Sequence, residues 1–115
     1  MRSSIVLLLG PVAAAMLATP AAAATFGELL AWCAPDDKGG DPTLCDGYLG
    51  AGLELLASPD PMSNGGTPAC VPAGEDRGRI IGLMRDYARH HPESRGMSGP
   101  DGLGLALKGR FPCRW

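Results

Sequence analysis

The stretch GEDRGRIIGLMRDYARHHP, residues 74–92, decides the fold. On a helical wheel Ile80, Ile81, Leu83, Met84, Tyr87 and Ala88 gather on one side, with Arg79, Arg85, Asp86 and Arg89 on the other. One apolar face at this period predicts an amphipathic helix over residues 74–90. Proline disfavours helical geometry at the residue before it, so Pro92 stops the helix at His90 or His91. These are the only two histidines in the chain, which raises the question of a metal or catalytic site. Adjacent helical side chains diverge by about 100°, so both rings cannot face one ion from a regular helix. HExxH is absent. The adopted reading is a helix C-terminus, where Arg89, His90 and His91 complement the dipole and Glu93 and Arg95 bond the following loop or each other.

Outward from this helix the same signals recur. Thr25-Phe26-Gly27-Glu28 has capping-box form, and Phe26, Leu29, Leu30 and Cys33 share one face, predicting a short helix that ends near Ala34-Pro35. A polar loop, residues 36–40, follows. Asp41-Pro42 restarts the helix with Asp as N-cap and Pro at the first position. Leu44, Cys45, Tyr48, Leu49, Gly52, Leu55 and Leu56 then form a broad apolar stripe. Gly47, Gly50 and Gly52 each cost about 1 kcal/mol relative to alanine inside a helix, and a neighbouring helix or a second subunit at close range would compensate. Residues 57–72, with four prolines and Asn64-Gly65-Gly66, read as a long aperiodic loop. After Pro92, Ser98 with Asp101 opens a last helix carrying Leu103, Leu107 and Phe111 on one face. No stretch alternates as a strand. The expected fold is all-α, a small bundle of four to five short helices.

The first 24 residues stand apart. Arg2, the apolar runs Ile5–Leu9 and Val12–Ala18, and the small residues Ala21–Ala24 have the layout of a secretory signal. The run is short and alanine-rich for a bilayer span, which needs roughly 20 strongly apolar residues; an uncleaved anchor is the alternative. Cleavage is placed after Ala24, leaving residues 25–115 as one soluble, exported domain with no membrane attachment. Cys33, Cys45, Cys70 and Cys113 all lie in that part. In an oxidising compartment four thiols in a small domain read as two disulfides. Zinc is the rival, but no pair has C-x2-C spacing. Of three pairings the preferred one joins Cys33–Cys45, closing a helical hairpin, and Cys70–Cys113, tying down the C-terminus; the other two stay open.

Charge is uneven. Residues 25–76 carry nine acids and one base, Lys38, whereas residues 77–115 carry eight bases and three acids. Complementary faces within one fold, or a polar surface offered to a partner, both account for this. No basic cluster with interleaved aromatics points to nucleic acid. No nucleophile–base set or metal-ligand spacing appears, so no catalytic residue, cofactor or metal is expected. The constrained loop Ser58–Pro68 is the better candidate, for binding a protein, with Asp60, Met62 and Asn64 as contacts. The acidic loop Asp36–Asp41 is the second candidate surface.

Read in order, Gly27-Glu28-Leu29-Leu30, Cys45-Asp46-Gly47-Tyr48-Leu49-Gly50, Cys70-Val71-Pro72, His91-Pro92-Glu93-Ser94-Arg95 and Phe111-Pro112-Cys113 form a set that resembles the Rap/Tai family of type VI secretion immunity proteins. The resemblance implies a small, helical, disulfide-containing periplasmic protein, often a homodimer. Its implied partner is a toxin delivered between cells, typically a peptidoglycan-cleaving amidase, which it blocks without chemistry of its own. It also implies a scaffold role for the motif residues Tyr48, Gly50, His91, Pro92, Glu93 and Arg95. The glycine-rich last helix departs from the pattern. A chaperone-like periplasmic protein and an orphan structural domain are the alternatives.

Overall fold

Each helix begins at a cap that the chain supplies locally. The computed structural model describes residues 24–115, so the expected signal segment lies outside the described residues apart from Ala24. Helix α1, Phe26–Trp32, opens on a complete capping box: Glu28 N donates to Thr25 Oγ1 at 3.1 Å and Thr25 N to Glu28 Oε1 at 2.8 Å. A 3₁₀ turn, Asp36–Lys38, reverses the chain. Asp41 Oδ1 then accepts from Leu44 N at 3.1 Å and starts α2, Pro42–Leu56. Asp60 does the same for α3, Pro61–Asn64, a single turn inside what reads as an aperiodic loop. Helix α4, Arg77–His90, is capped by Asp76, and α5, Gly99–Leu107, by Ser98. A 3₁₀ turn, Pro92–Gly96, joins the last two. Among the described residues there is no strand, only an isolated antiparallel bridge between Thr25 and Ser98.

Two expectations need adjusting. Helix α4 starts at Arg77, not at residue 74, because Gly74 sits at φ 88°, a left-handed geometry that a helix cannot include. The apolar stripe of α2 is narrower than its hydropathy: Cys45, Leu49, Gly52 and Leu56 are buried, whereas Leu44 and Leu55 are each 47% exposed. The buried four are spaced i, i+4, i+7, i+11, one seam of the helix, and the two leucines flank it.

The core joins all the longer helices. Phe26 and Leu29 of α1, Leu49 and Leu56 of α2, Ile80 and Met84 of α4, and Leu103 and Leu107 of α5 are almost fully buried in one cluster. Each such side chain contributes about 1.5–3 kcal/mol by leaving water. The glycines of α5 are what let the helices approach. A Cβ on Gly102 would fall within the Phe26 ring, one on Gly99 against the Tyr48 hydroxyl, and one on Gly104 against Thr67. Gly52 of α2 receives Leu103 in the same way, with a Cβ only 3.2 Å from its methyl. Gly47 and Gly50 meet nothing within 4 Å.

Two disulfides fasten this arrangement, with the preferred pairing. Cys33–Cys45 ties the end of α1 to the start of α2 at a Cα separation of 5.0 Å, and Cys70–Cys113 ties the segment before α4 to the C-terminus at 4.9 Å. Both separations lie in the ordinary range for a disulfide. No described cysteine is free, which removes the zinc alternative.

Candidate functional site

The segment between α2 and Cys70 is a folded knuckle. Ser58 Oγ accepts from Asp60 N at 3.2 Å, and Asp60 Oδ1 accepts from Met62 N at 3.0 Å. Asn64 closes the turn from inside: its Nδ2 donates to Ser58 O at 2.9 Å and its Oδ1 accepts from Gly66 N at 2.7 Å. Gly65 and Gly66 supply the positive φ values, 67° and 85°, that bring the chain back. The returning segment is then pinned, with Ala69 N donating to Leu56 O at 3.1 Å and Cys70 N to Phe111 O at 2.8 Å. Thr67 fits against Gly104.

These bonds separate the three expected contacts. Met62 stands 91% exposed at the tip, more than any other large apolar side chain described. Asp60 is exposed but already spends its carboxylate on the cap. Asn64 is 4% exposed, and its amide is fully engaged within the knuckle. Asn64 therefore shapes the tip and Met62 presents a surface. The short helix was readable in principle, since Asp60-Pro61 repeats the Asp41-Pro42 start of α2 and Asn64-Gly65 is a left-handed ending.

The acidic loop is braced as well. Asp41 N donates to Trp32 O at 2.8 Å and Lys38 N to Pro35 O at 2.9 Å, beneath the Cys33–Cys45 disulfide. Asp36, Asp37 and Lys38 remain exposed. A third surface, not anticipated as such, is the outer face of α2. Leu44, Gly47, Ala51 and Leu55 are exposed there at i, i+3, i+7, i+11, a strip without charged side chains. A groove of about 330 Å³ lies beside it, lined by Leu53, Glu54, Val71, Pro72, Arg77 and Ile80 among others.

The histidines diverge. His91 stacks on Tyr87 with ring centroids 4.4 Å apart, and its Nδ1 lies 3.7 Å from Glu93 Oε2. His90 Nδ1 lies 2.9 Å from the Asp86 carbonyl, in the last turn of α4, while Arg89 pairs with the Asp86 carboxylate. This is the helix-terminus arrangement, with Glu93 facing His91 and not Arg95. Among the described residues no three of His, Cys, Asp and Glu come together as metal ligands would. The other motif residues scatter. Tyr48 packs its ring 6.0 Å from that of Trp32 and its hydroxyl against Gly99, and burial raises its pKa above the ordinary 10.0. Pro92 opens the 3₁₀ turn, and the Arg95 carbonyl abuts Gly27. Gly50 lies on the open side of α2, with no packing reason to be glycine.

The two charged halves meet little. Arg79 Nη1 lies 3.5 Å from Glu75 Oε2, Arg85 Nη2 donates to the Cys33 carbonyl at 3.2 Å, and Arg77 Nε lies 3.9 Å from Asp46 Oδ1 between exposed side chains. An exposed pair at that distance contributes at most about 1 kcal/mol. Most of the acidic and basic side chains thus face solvent.

A family model, that of the Rap1a immunity proteins, matches residues 25–113 and so takes in all five helices and both disulfides. No curated protein matches the chain, and no solved structure does.

Proposed function

The chain belongs to the Rap1a immunity proteins, and from that premise we propose that it is exported to the periplasm and binds a type VI secretion toxin there, probing the toxin's cleft with the Ser58–Pro68 knuckle. The toxin class proposed is a peptidoglycan-cleaving amidase, which acts in that compartment. Two disulfides are at home in an oxidising space. No helix among the described residues is long and apolar enough to cross a membrane.

The observation that carries this reading is the pairing of an exposed thioether with a rigid base. Met62 projects from a turn whose backbone is held by Asp60, Asn64 and the Cys70–Cys113 tie. A pre-ordered tip loses little conformational freedom on docking. A few anchor residues buried in pockets carry most of the affinity of an interface, and methionine adapts to irregular pockets. Mechanistically this is occlusion: the tip fills the cleft, and the flanking polar groups seal its rim. The protein needs no chemistry of its own for it. A homodimer would use the outer face of α2, where Leu44 and Leu55 flank glycines with open space above them.

The test is binding of the oxidised mature protein to effectors of the producing cell's own secretion system, with and without Met62→Asp. Loss of a central anchor corresponds to about 2 kcal/mol or more, so Kd should rise by roughly 30-fold. An unchanged Kd would shift the contact to the Asp36–Asp41 loop or to α2.

A further inference from the structure

The first described residues are part of the fold, and this bears on where a leader is cut. Thr25 bridges Ser98 in antiparallel fashion. Phe26 N donates to Met97 O at 2.9 Å, and Gly99 N donates to Ala24 O at 3.0 Å. Ala24 is 5% exposed. Gly99 is buried and is the first residue of α5. Its N–H has no partner within the helix, as holds for any first-turn donor. The Ser98 hydroxyl is already accepting from Asp101 N. The Ala24 carbonyl is what satisfies Gly99.

The small residues before Thr25 allow two registers for a leader peptidase. Ala21 and Ala23 fit the third and first positions before one cut, and Ala22 and Ala24 fit those before the next. The sequence pattern places the cut after Ala24. The fold separates the two. A cut after Ala24 removes the acceptor for a buried N–H. It also places an ammonium on Thr25, the N-cap of α1, beside the starts of two helices whose dipoles disfavour positive charge. A cut one bond earlier keeps the Ala24 carbonyl, leaves Thr25 N as a neutral amide donating to Glu28, and moves the ammonium one residue outward.

We propose that the mature protein begins at Ala24, through hydrolysis of the Ala23–Ala24 peptide bond. Water is consumed, Ala23 leaves as a carboxylate and Ala24 gains the free amine. The cut precedes folding, since Ala24 is inaccessible once paired with Gly99. This inference rests on the export reading above.

The intact mass of the protein recovered from the periplasm, after expression of the full chain with its own leader, tests it. The expected mass is that of residues 24–115 with two disulfides. A mass one alanine lighter, starting at Thr25, overturns the register. Absence of the protein from the periplasm, with an unprocessed chain starting at Met1 left in the cytoplasm, overturns the export reading instead, so the two failures are distinct. Two leader variants, both removed from the product and therefore unable to affect its folding, sharpen the result. Ala21→Asp should abolish the form that begins at Ala24, and Ala22→Asp should leave that form unchanged. The opposite pattern would assign the cut to the bond after Ala24.

Discussion

Helices α2 and α5 both carry three or more glycines, and they use them in opposite ways. In α5, Gly99, Gly102 and Gly104 all face inward, and each lies where a neighbouring residue leaves no room for a Cβ. The helix forgoes intrinsic propensity and gains the approach of Tyr48, Phe26 and Thr67. In α2 only Gly52 is so used, whereas Gly47 and Gly50 look out into open space. The cost of about 1 kcal/mol per glycine is therefore recovered within the fold in one helix and left standing on the surface of the other.

The comparison can be broken most severely at the clamp holding the tail of α5. Replacing Cys70 and Cys113 by serine opens a loop of 43 residues, against 12 for Cys33 and Cys45. Chain entropy then predicts losses of about 4 and about 3 kcal/mol, to be read by denaturant unfolding. Next comes Gly102→Ala, which drives a methyl into the Phe26 ring; overpacking of about 2–3 kcal/mol should lower Tm by roughly 10–20 °C. Gly50→Ala should do the reverse, raising stability by about 0.5–1 kcal/mol, and a fall in Tm would show that α2 is not open.

Tyr48 offers a smaller, pH-dependent test. Its hydroxyl ionises less readily in the fold because burial strips water from the phenolate. The unfolded chain then releases that proton first as pH passes the ordinary value of 10.0, so unfolding gains on the alkaline side. Stability is full below that pH and declines above it, and Tyr48→Phe should flatten this part of the profile. Smallest of all is Ser94→Ala. The Ser94 hydroxyl is buried with no hydrogen-bond partner in the protein, so its removal should change stability by less than about 0.5 kcal/mol or raise it slightly.

The helix starts were legible because their signals are local. Thr25 with Glu28, Asp41 with Pro42, and Ser98 with Asp101 each act within one turn, and the structure uses all three. Pro92 likewise ends α4 where a residue before proline must leave helical geometry. The disulfide pairing was one of three open to the sequence, preferred for the helices the cysteines bracket, and the structure shows that one. What stayed hidden depends on distant partners. Nothing near Gly102 indicates that Phe26, far away in the chain, needs its space. Leu44 and Leu55 have the hydropathy of core residues, and only the placement of α1 and α5 against α2 leaves them outside. At the knuckle, residue types marked the segment as a candidate, but whether Asn64 or Met62 faced outward depended on the turn geometry.

The bridge between Thr25 and Ser98 has a temporal consequence. Residues that emerge first from any channel must wait for residues near the other end before they find their backbone partners. Helix α1 has no independent support, because seven residues are too few to hold a helix alone in water. The backbone pairing at the start of α1 is therefore completed only once residues 97–99 have joined it.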